Sequence, residues 1–225
     1  MNTIYYILLP LAAYLYGSVP FGFLFALILR GTDIREVGSG NIGATNAARV
    51  LGFRYFPVVF LLDFSKGLLP PLIAITLVGA GQAYDPHPLA VGGAVAAILG
   101  HVFPIYLKFK GGKAVAAGTG ACLILAPWAL LVAAATWAIL FAVFRYVSLA
   151  SITAAGALGI SVWIVYSDPL GAGIFRTGFC TLAALFVIVL HHGNIRRLLR
   201  GTEHKIGSGG EDTKEGSSGE VQDEG

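Results

Sequence analysis

Two glycine-rich, cationic segments stand between long apolar runs. The first is Gly38-Ser39-Gly40-Asn41-Ile42-Gly43-Ala44-Thr45-Asn46-Ala47-Ala48-Arg49, and the second is His101-Val102-Phe103-Pro104-Ile105-Tyr106-Leu107-Lys108-Phe109-Lys110-Gly111-Gly112-Lys113. Glycine lets backbone N–H groups approach an oxyanion closely and take up the conformations that form anion nests. Gly111-Gly112-Lys113 precedes the helix-forming run Ala114-Val115-Ala116-Ala117. A helix N-terminus there offers free N–H groups and a positive dipole to a phosphate. Arg49 adds a guanidinium fork that matches phosphate or carboxylate, and Ser39, Asn41, Thr45 and Asn46 add neutral hydrogen-bonding groups. The second segment is no Walker A loop, because Lys113 is followed by Ala114 and the upstream glycine is missing. The chemistry implied is anion binding where membrane meets water.

The elements that must position these residues are membrane helices. Of 225 residues 56% are hydrophobic and 12% charged, against about 25% charged in a soluble domain. Met1–Leu29 and Ala114–Phe144 contain no charge at all. Backbone facing lipid must satisfy its own hydrogen bonds, and the runs are continuous rather than alternating, so they are helices and not barrel strands. Met1–Leu29 lacks the basic start and the short core of a signal peptide. Apolar spans are expected at 4–29, 55–79, 88–107, 114–126, 128–144, 148–166 and 174–191. A single helix over 114–144 would be about 46 Å long at 1.5 Å per residue, well beyond a hydrocarbon core of about 30 Å. Two short or tilted spans meeting near Pro127 fit better.

Charge gives an independent test of topology. Arg30, Arg35, Arg49, Arg54, Lys108, Lys110, Lys113, Arg145, Arg196, Arg197, Arg200 and Lys205 fall on one face, and the opposite segments contribute only Arg176. The positive-inside rule makes that face cytoplasmic. The expectation is an all-α integral membrane protein of about seven transmembrane helices, N-terminus outside and C-terminus cytoplasmic, with five as the fallback if the short spans only dip in. Residues 1–206 form the membrane domain. Residues 207–225 are dominated by Gly, Ser, Glu and Asp; they cannot bury enough surface to offset ordering and are expected to be a disordered cytoplasmic tail.

Several chemistries are excluded. Cys122 and Cys180 both lie in apolar runs with no Cys/His cluster, so neither a disulfide framework nor a zinc site is expected, and nothing asks for a cofactor or a nucleic acid partner. The fifth residue after His87, His101, His191 and His192 is Gly92, Tyr106, Arg196 and Arg197, so the His-x4-Asp pair that one class of acyltransferases uses is absent. Asp63 stands alone in a span and is expected to pair with Lys66 or a nearby Arg.

Gly38–Arg49, Asp63-Phe64-Ser65-Lys66-Gly67, Gly100–Val115, Arg145-Tyr146-Val147-Ser148, and His191–Arg197 with Gly201-Thr202-Glu203-His204-Lys205 resemble, in order, the acyl-phosphate:glycerol-3-phosphate acyltransferases of bacteria, the PlsY family. The resemblance covers residues 1 to about 206. It implies a multi-pass enzyme of the bacterial inner membrane with its active site facing the cytoplasm. Such an enzyme transfers a fatty acyl group from acyl phosphate to the sn-1 hydroxyl of glycerol 3-phosphate, giving lysophosphatidic acid and inorganic phosphate for phospholipid synthesis.

By that resemblance Ser39, Arg49, Lys113, His191 and Asn194 surround glycerol 3-phosphate and the reacting carbonyl. Gly111, Gly112 and Thr45 hold the acyl phosphate, with Gly40, Asn41, Asn46, His101, Lys110 and Ser148 among the substrate-binding residues. The proton acceptor stays open among His191, His101 and a substrate phosphate. Membrane lipid is a further partner, and the soluble enzyme that makes acyl phosphate a plausible one. The alternative reading is a small membrane transporter of an organic phosphate, which would use the same cations near the bilayer midplane with access from both sides.

Overall fold

Pro127 divides the longest charge-free run as its chemistry requires. Helix α6 (Val115–Leu125) stops before Ala126, which leaves helical geometry at φ −149°, and α7 (Pro127–Phe144) starts with the proline at its first position. There the missing N–H breaks no hydrogen bond. The computed structural model describes residues 3–78, 88–171 and 173–207. The remaining helices are α1 (Tyr5–Gly17), α2 (Phe21–Arg30), α3 (Ala44–Leu51), α4 (Phe56–Val78), α5 (Pro88–Val102), α8 (Val147–Val165), α9 (Ile174–Leu190) and α10 (His192–Leu199).

All seven expected apolar segments are helical, with α1 and α2 sharing the first across a break at Ser18–Pro20. They are not seven equivalent spans. Among the described residues five segments are long and apolar enough to cross a bilayer, or six when the bent α9–α10 pair is taken as one span. Helix α6, with 11 residues, is only about 16 Å long at 1.5 Å per residue, half of a hydrocarbon core. Its shortness follows from the loop before it. Pro104, Leu107, Gly112 and Ala114 are buried, so irregular backbone is already inside the protein, where it is tolerated, when α6 begins. The tail expected from residue 207 lies, from 208 onward, outside the described residues.

Small residues set the packing. A Cβ on Gly17 would overlap the Ala97 carbonyl, and one on Gly100 the Tyr14 carbonyl, so α1 and α5 meet backbone to backbone. Gly67 and Gly120 bring α4 and α6 together in the same way, against the Ala117 and Phe64 carbonyls. Such close approach is the means by which helices associate where lipid removes the hydrophobic drive between them. Helices α1, α5, α4 and α6 thus form one packed row and α7, α8 and α9 another. Short amphipathic α3 lies against α2 and α4.

Candidate active site

Between the two rows lies a cavity of about 410 Å³ with two chemically different ends. Ser39, Arg49, Lys113, His191, Asn194 and Glu203 line the polar end. The other end is apolar: Phe56 and Phe60 from α4, stacked at 5.9 Å between centroids, face Leu130, Ala133, Ala134 and Trp137 of α7. The α7 residues recur at i, i+3, i+4 and i+7, the spacing of one helix face. A smaller cavity of about 170 Å³ shares Thr45, Arg49, Phe56, Trp137 and Val147 with the first and continues it toward Phe53 and Phe141. A charged headgroup and an aliphatic chain on one molecule would fit these ends.

The first glycine-rich segment is shaped by its own side chains. Asp33 caps a short 3-10 turn (Ile34–Glu36) by accepting from the Arg35 N–H and pairs with the Arg35 guanidinium at 2.5 Å. Asn46, almost fully buried, donates to the carbonyls of Ile34 and Val37 at 2.9 and 3.0 Å and accepts from the Ser39 N–H at 3.0 Å. Asn46, expected as a substrate ligand, lines the cavity and also has its side chain engaged as the staple that folds the loop over α3. Asn41 is likewise engaged within the loop, accepting from the Gly43 N–H at 2.9 Å. This scaffold leaves Ser39 and Arg49 on the cavity wall. Arg49 is exposed at the cavity mouth and forms no hydrogen bond or ion pair with protein among the described residues; desolvation by the groups around it lowers its pKa, against the pull of Glu203.

From the other row, α10 and the turn after it organise the remaining groups around Glu203. Its carboxylate accepts from Ser148 at 2.8 Å, from Asn194 Nδ2 at 2.7 Å and from Arg197 Nε at 2.7 Å. Burial alone would raise the Glu203 pKa, but these three donors hold it below the usual carboxylate range. With Nδ2 on Glu203, Asn194 turns Oδ1 toward Lys113, whose ammonium donates to it. His191 donates from Nδ1 to the Val187 carbonyl at 2.7 Å, leaving Nε2 as an acceptor.

Of the expected site residues, Ser39, Asn41, Thr45, Asn46, Arg49, His101, Lys113, Ser148, His191 and Asn194 line this one cavity. Gly40, Lys110, Gly111 and Gly112 do not. Lys110 and Gly40 are exposed, and the Gly112 N–H donates to the His101 carbonyl at 3.0 Å rather than into the cavity. Glu203 is a member that sequence reasoning passed over, although it lies within a quoted motif; its only local signal was an acid following an Arg-rich helix. The expected Asp63–Lys66 pairing is present at 2.5 Å. Among the described residues no group of three or more His, Cys, Asp or Glu side chains gathers as a metal site requires.

Lys113 gives the site a pH dependence. Burial, then the charges of Arg197 and Arg49, lower its pKa to about 8, with Glu203 opposing. The ammonium is present below that pH and is lost above it. A bound phosphate would favour the charged form, so the limb belongs to the free protein and to kcat/KM rather than kcat. We expect kcat/KM for a phosphate-bearing substrate to fall about tenfold per pH unit above about pH 8. Lys113→Arg, which cannot deprotonate in this range, should remove that limb. Initial rates from pH 6 to 10 check both.

Comparison with known proteins bears on the family and the fold. The family model for glycerol-3-phosphate acyltransferase matches residues 7–201. The glycerol-3-phosphate acyltransferase of Syntrophotalea carbinolica is 46% identical over 205 residues, 91% of this chain and 98% of that protein. That of Desulforamulus reducens is 43% identical over 201 residues, 89% and 95% of the two. Crystal structures of PlsY, an integral membrane glycerol 3-phosphate acyltransferase, superpose with TM-scores of 0.80 for the glycerol 3-phosphate form and 0.77 for the lysophosphatidic acid form. Their identities are 38% and 37%, over 90% of this chain and 96% and 95% of theirs. On sequence over nearly the whole described chain, and on fold, this integral membrane protein belongs to the glycerol-3-phosphate acyltransferase family.

Proposed function

We propose that this protein transfers a fatty acyl group from acyl phosphate to the sn-1 hydroxyl of glycerol 3-phosphate, releasing lysophosphatidic acid and inorganic phosphate. The observation that carries the reading is the single cavity whose polar end gathers Ser39, Arg49 and Lys113 and whose other end is the apolar slot between α4 and α7. Both substrates carry a phosphate, and one carries a chain. Burial of each CH₂ of that chain would contribute about 0.8 kcal/mol. Family membership, with crystal structures of a relative in glycerol 3-phosphate and lysophosphatidic acid forms, favours acyl transfer over the transporter alternative.

In this reading Arg49 and Lys113 hold the acceptor phosphate, and Ser39 and Asn194 fix its glycerol. The hydroxyl oxygen attacks the acyl carbon, the bond from that carbon to the phosphate oxygen breaks, and phosphate departs with the electron pair. Phosphate is a good leaving group, so positioning and charge neutralisation account for most of the rate. His191 Nε2 accepts a hydrogen bond from the hydroxyl and orients it. His191 Nδ1 is committed to the Val187 carbonyl, and a phosphate monoester dianion, whose conjugate acid has a pKa of about 6, is a competent base beside the hydroxyl. The proton therefore passes to a substrate phosphate.

The cationic face that bears the site is the cytoplasmic face of the inner membrane by the positive-inside rule, which places it within reach of a soluble source of acyl phosphate. Purified protein in detergent or nanodiscs tests the proposal. Phosphate release from acyl phosphate that requires glycerol 3-phosphate and yields lysophosphatidic acid supports it. Glycerol 3-phosphate flux into vesicles without turnover would overturn it.

A further inference from the structure

Three ionisable side chains lie together inside the membrane domain, and the mechanism above uses none of them. Asp63 and Lys66, one turn apart on α4, are 2% and 1% exposed and pair at 2.5 Å; His101, at the end of α5, is 4% exposed. His101 Nδ1 lies 3.6 Å from the Asp63 carboxylate and 3.4 Å from Lys66 Nζ. The ammonium is also backed by the Phe21 ring, 4.8 Å from its centroid. Ionisable groups at such depth are costly and are kept where they serve a site.

The other edge of the His101 ring meets the glycine turn. A Cβ on Gly112 would overlap His101 Nε2, with the ring carbons next nearest, and a Cβ on Gly111 would overlap the His101 carbonyl. That carbonyl accepts the Gly112 N–H at 3.0 Å. The turn therefore wraps His101 from two sides, and Lys113 is the next residue. Lys108, Phe109 and Ala114 around it adopt left-handed φ of 53°, 63° and 58°. Non-glycine residues hold that conformation only when their surroundings enforce it.

We propose that Asp63 is a positioning residue: through the Asp63–Lys66 ion pair it clamps the His101 imidazole, and the clamped ring seats Gly112 and so sets where the Lys113 ammonium stands. Gly112 is then a glycine because a histidine ring occupies the place of its side chain, and not because its amide cradles a phosphate. The rescue of one substitution by a second follows from this, and a direct phosphate contact would not produce it.

The experiment compares Gly112→Ala, His101→Ala, the double variant His101→Ala/Gly112→Ala, Asp63→Asn, and Asp63→Asn/Lys66→Met, which removes both buried charges where the single change would leave Lys66 unpaired. Gly112→Ala should lower kcat/KM for glycerol 3-phosphate by about 10²-fold, the cost of a misplaced binding group. Deleting the ring should make room for the methyl, so the double variant should be at least about tenfold more active than Gly112→Ala, a departure from additivity that only contacting residues show. Both Asp63 variants should raise KM about tenfold with kcat little changed, the pattern of lost uniform binding.

A double variant no better than Gly112→Ala would overturn the proposal, and so would an Asp63 variant whose kcat falls while KM stands. The assay rests on the acyl-transfer reading. If wild type shows no turnover, that reading fails by itself, and the same order of variants is read instead from stabilisation of the purified protein by glycerol 3-phosphate in thermal unfolding.

Discussion

Arg49→Met should lower kcat/KM for glycerol 3-phosphate by about 10²- to 10³-fold while leaving the protein folded. A cation donating to a phosphate contributes about 2–5 kcal/mol when the pair is desolvated, and each 1.36 kcal/mol is tenfold in rate. Arg49 is suited to that contribution because its guanidinium is engaged by no protein acceptor among the described residues and stands on the wall of the larger cavity. The same fact separates binding from folding. Desolvation and the Arg197 charge oppose the Arg49 charge, Glu203 favours it, and the side chain is exposed, so these effects are screened. Removing that charge should therefore leave Tm little changed, whereas loss of a structural ion pair would lower it. Arg49→Lys should recover only part of the activity, since an ammonium cannot reproduce the two parallel donors of the fork. Steady-state kinetics with thermal unfolding decide the matter: kcat/KM within about threefold of wild type for Arg49→Met would remove this residue from the phosphate site.

The place of Arg49 on the cavity wall was legible in the sequence because an ionisable group beside glycines, next to apolar spans, has few structural duties available to it. The helices were legible for a related reason: charge-free runs bounded by Arg, Lys or Pro have one solution in lipid, and each expected segment appears with boundaries displaced by only a few residues. Asn46 shows where such reading stops. Its side chain satisfies two carbonyls and one amide of a loop seven to twelve residues upstream, and no local pattern distinguishes a loop staple from a substrate ligand. Gly112 is similar, since the ring that forbids it a side chain arrives from α5. The Asp63–Lys66 pair was readable from its i, i+3 spacing, but the approach of His101 was not, because it depends on how α4 and α5 pack. Glu203 was passed over for the same cause. Its importance lies in three donors from two other places in the chain, and an acid after a basic helix carries no periodic signal.

Glu203→Ala is accordingly expected to cost both stability and affinity. The change would leave the Ser148 hydroxyl and the Asn194 amide without their acceptor and free Arg197 within a cluster that already holds Arg49 and Lys113. An orphaned buried donor costs about 1–3 kcal/mol. Arg197 is about a third exposed at 35%, so water screens its share and adds little. A destabilisation of about 2–6 kcal/mol follows from the two neutral donors.

The kinetic effect is more specific. Asn194 would no longer be held with Oδ1 toward Lys113, and Lys113 would lose the one charge that raises its pKa. The alkaline limb of kcat/KM should therefore begin below pH 8, and KM for glycerol 3-phosphate should rise. Glu203→Gln keeps one acceptor oxygen but must point an NH₂ at one of the three donors, so it should fall between wild type and Glu203→Ala in Tm. In the position of the limb it should match Glu203→Ala, because the charge is equally gone. A Glu203→Ala protein with the wild-type pH profile would mean that Lys113 does not sense this carboxylate, and the convergence of α8, α10 and the glycine turn on one phosphate would lose its main electrostatic support.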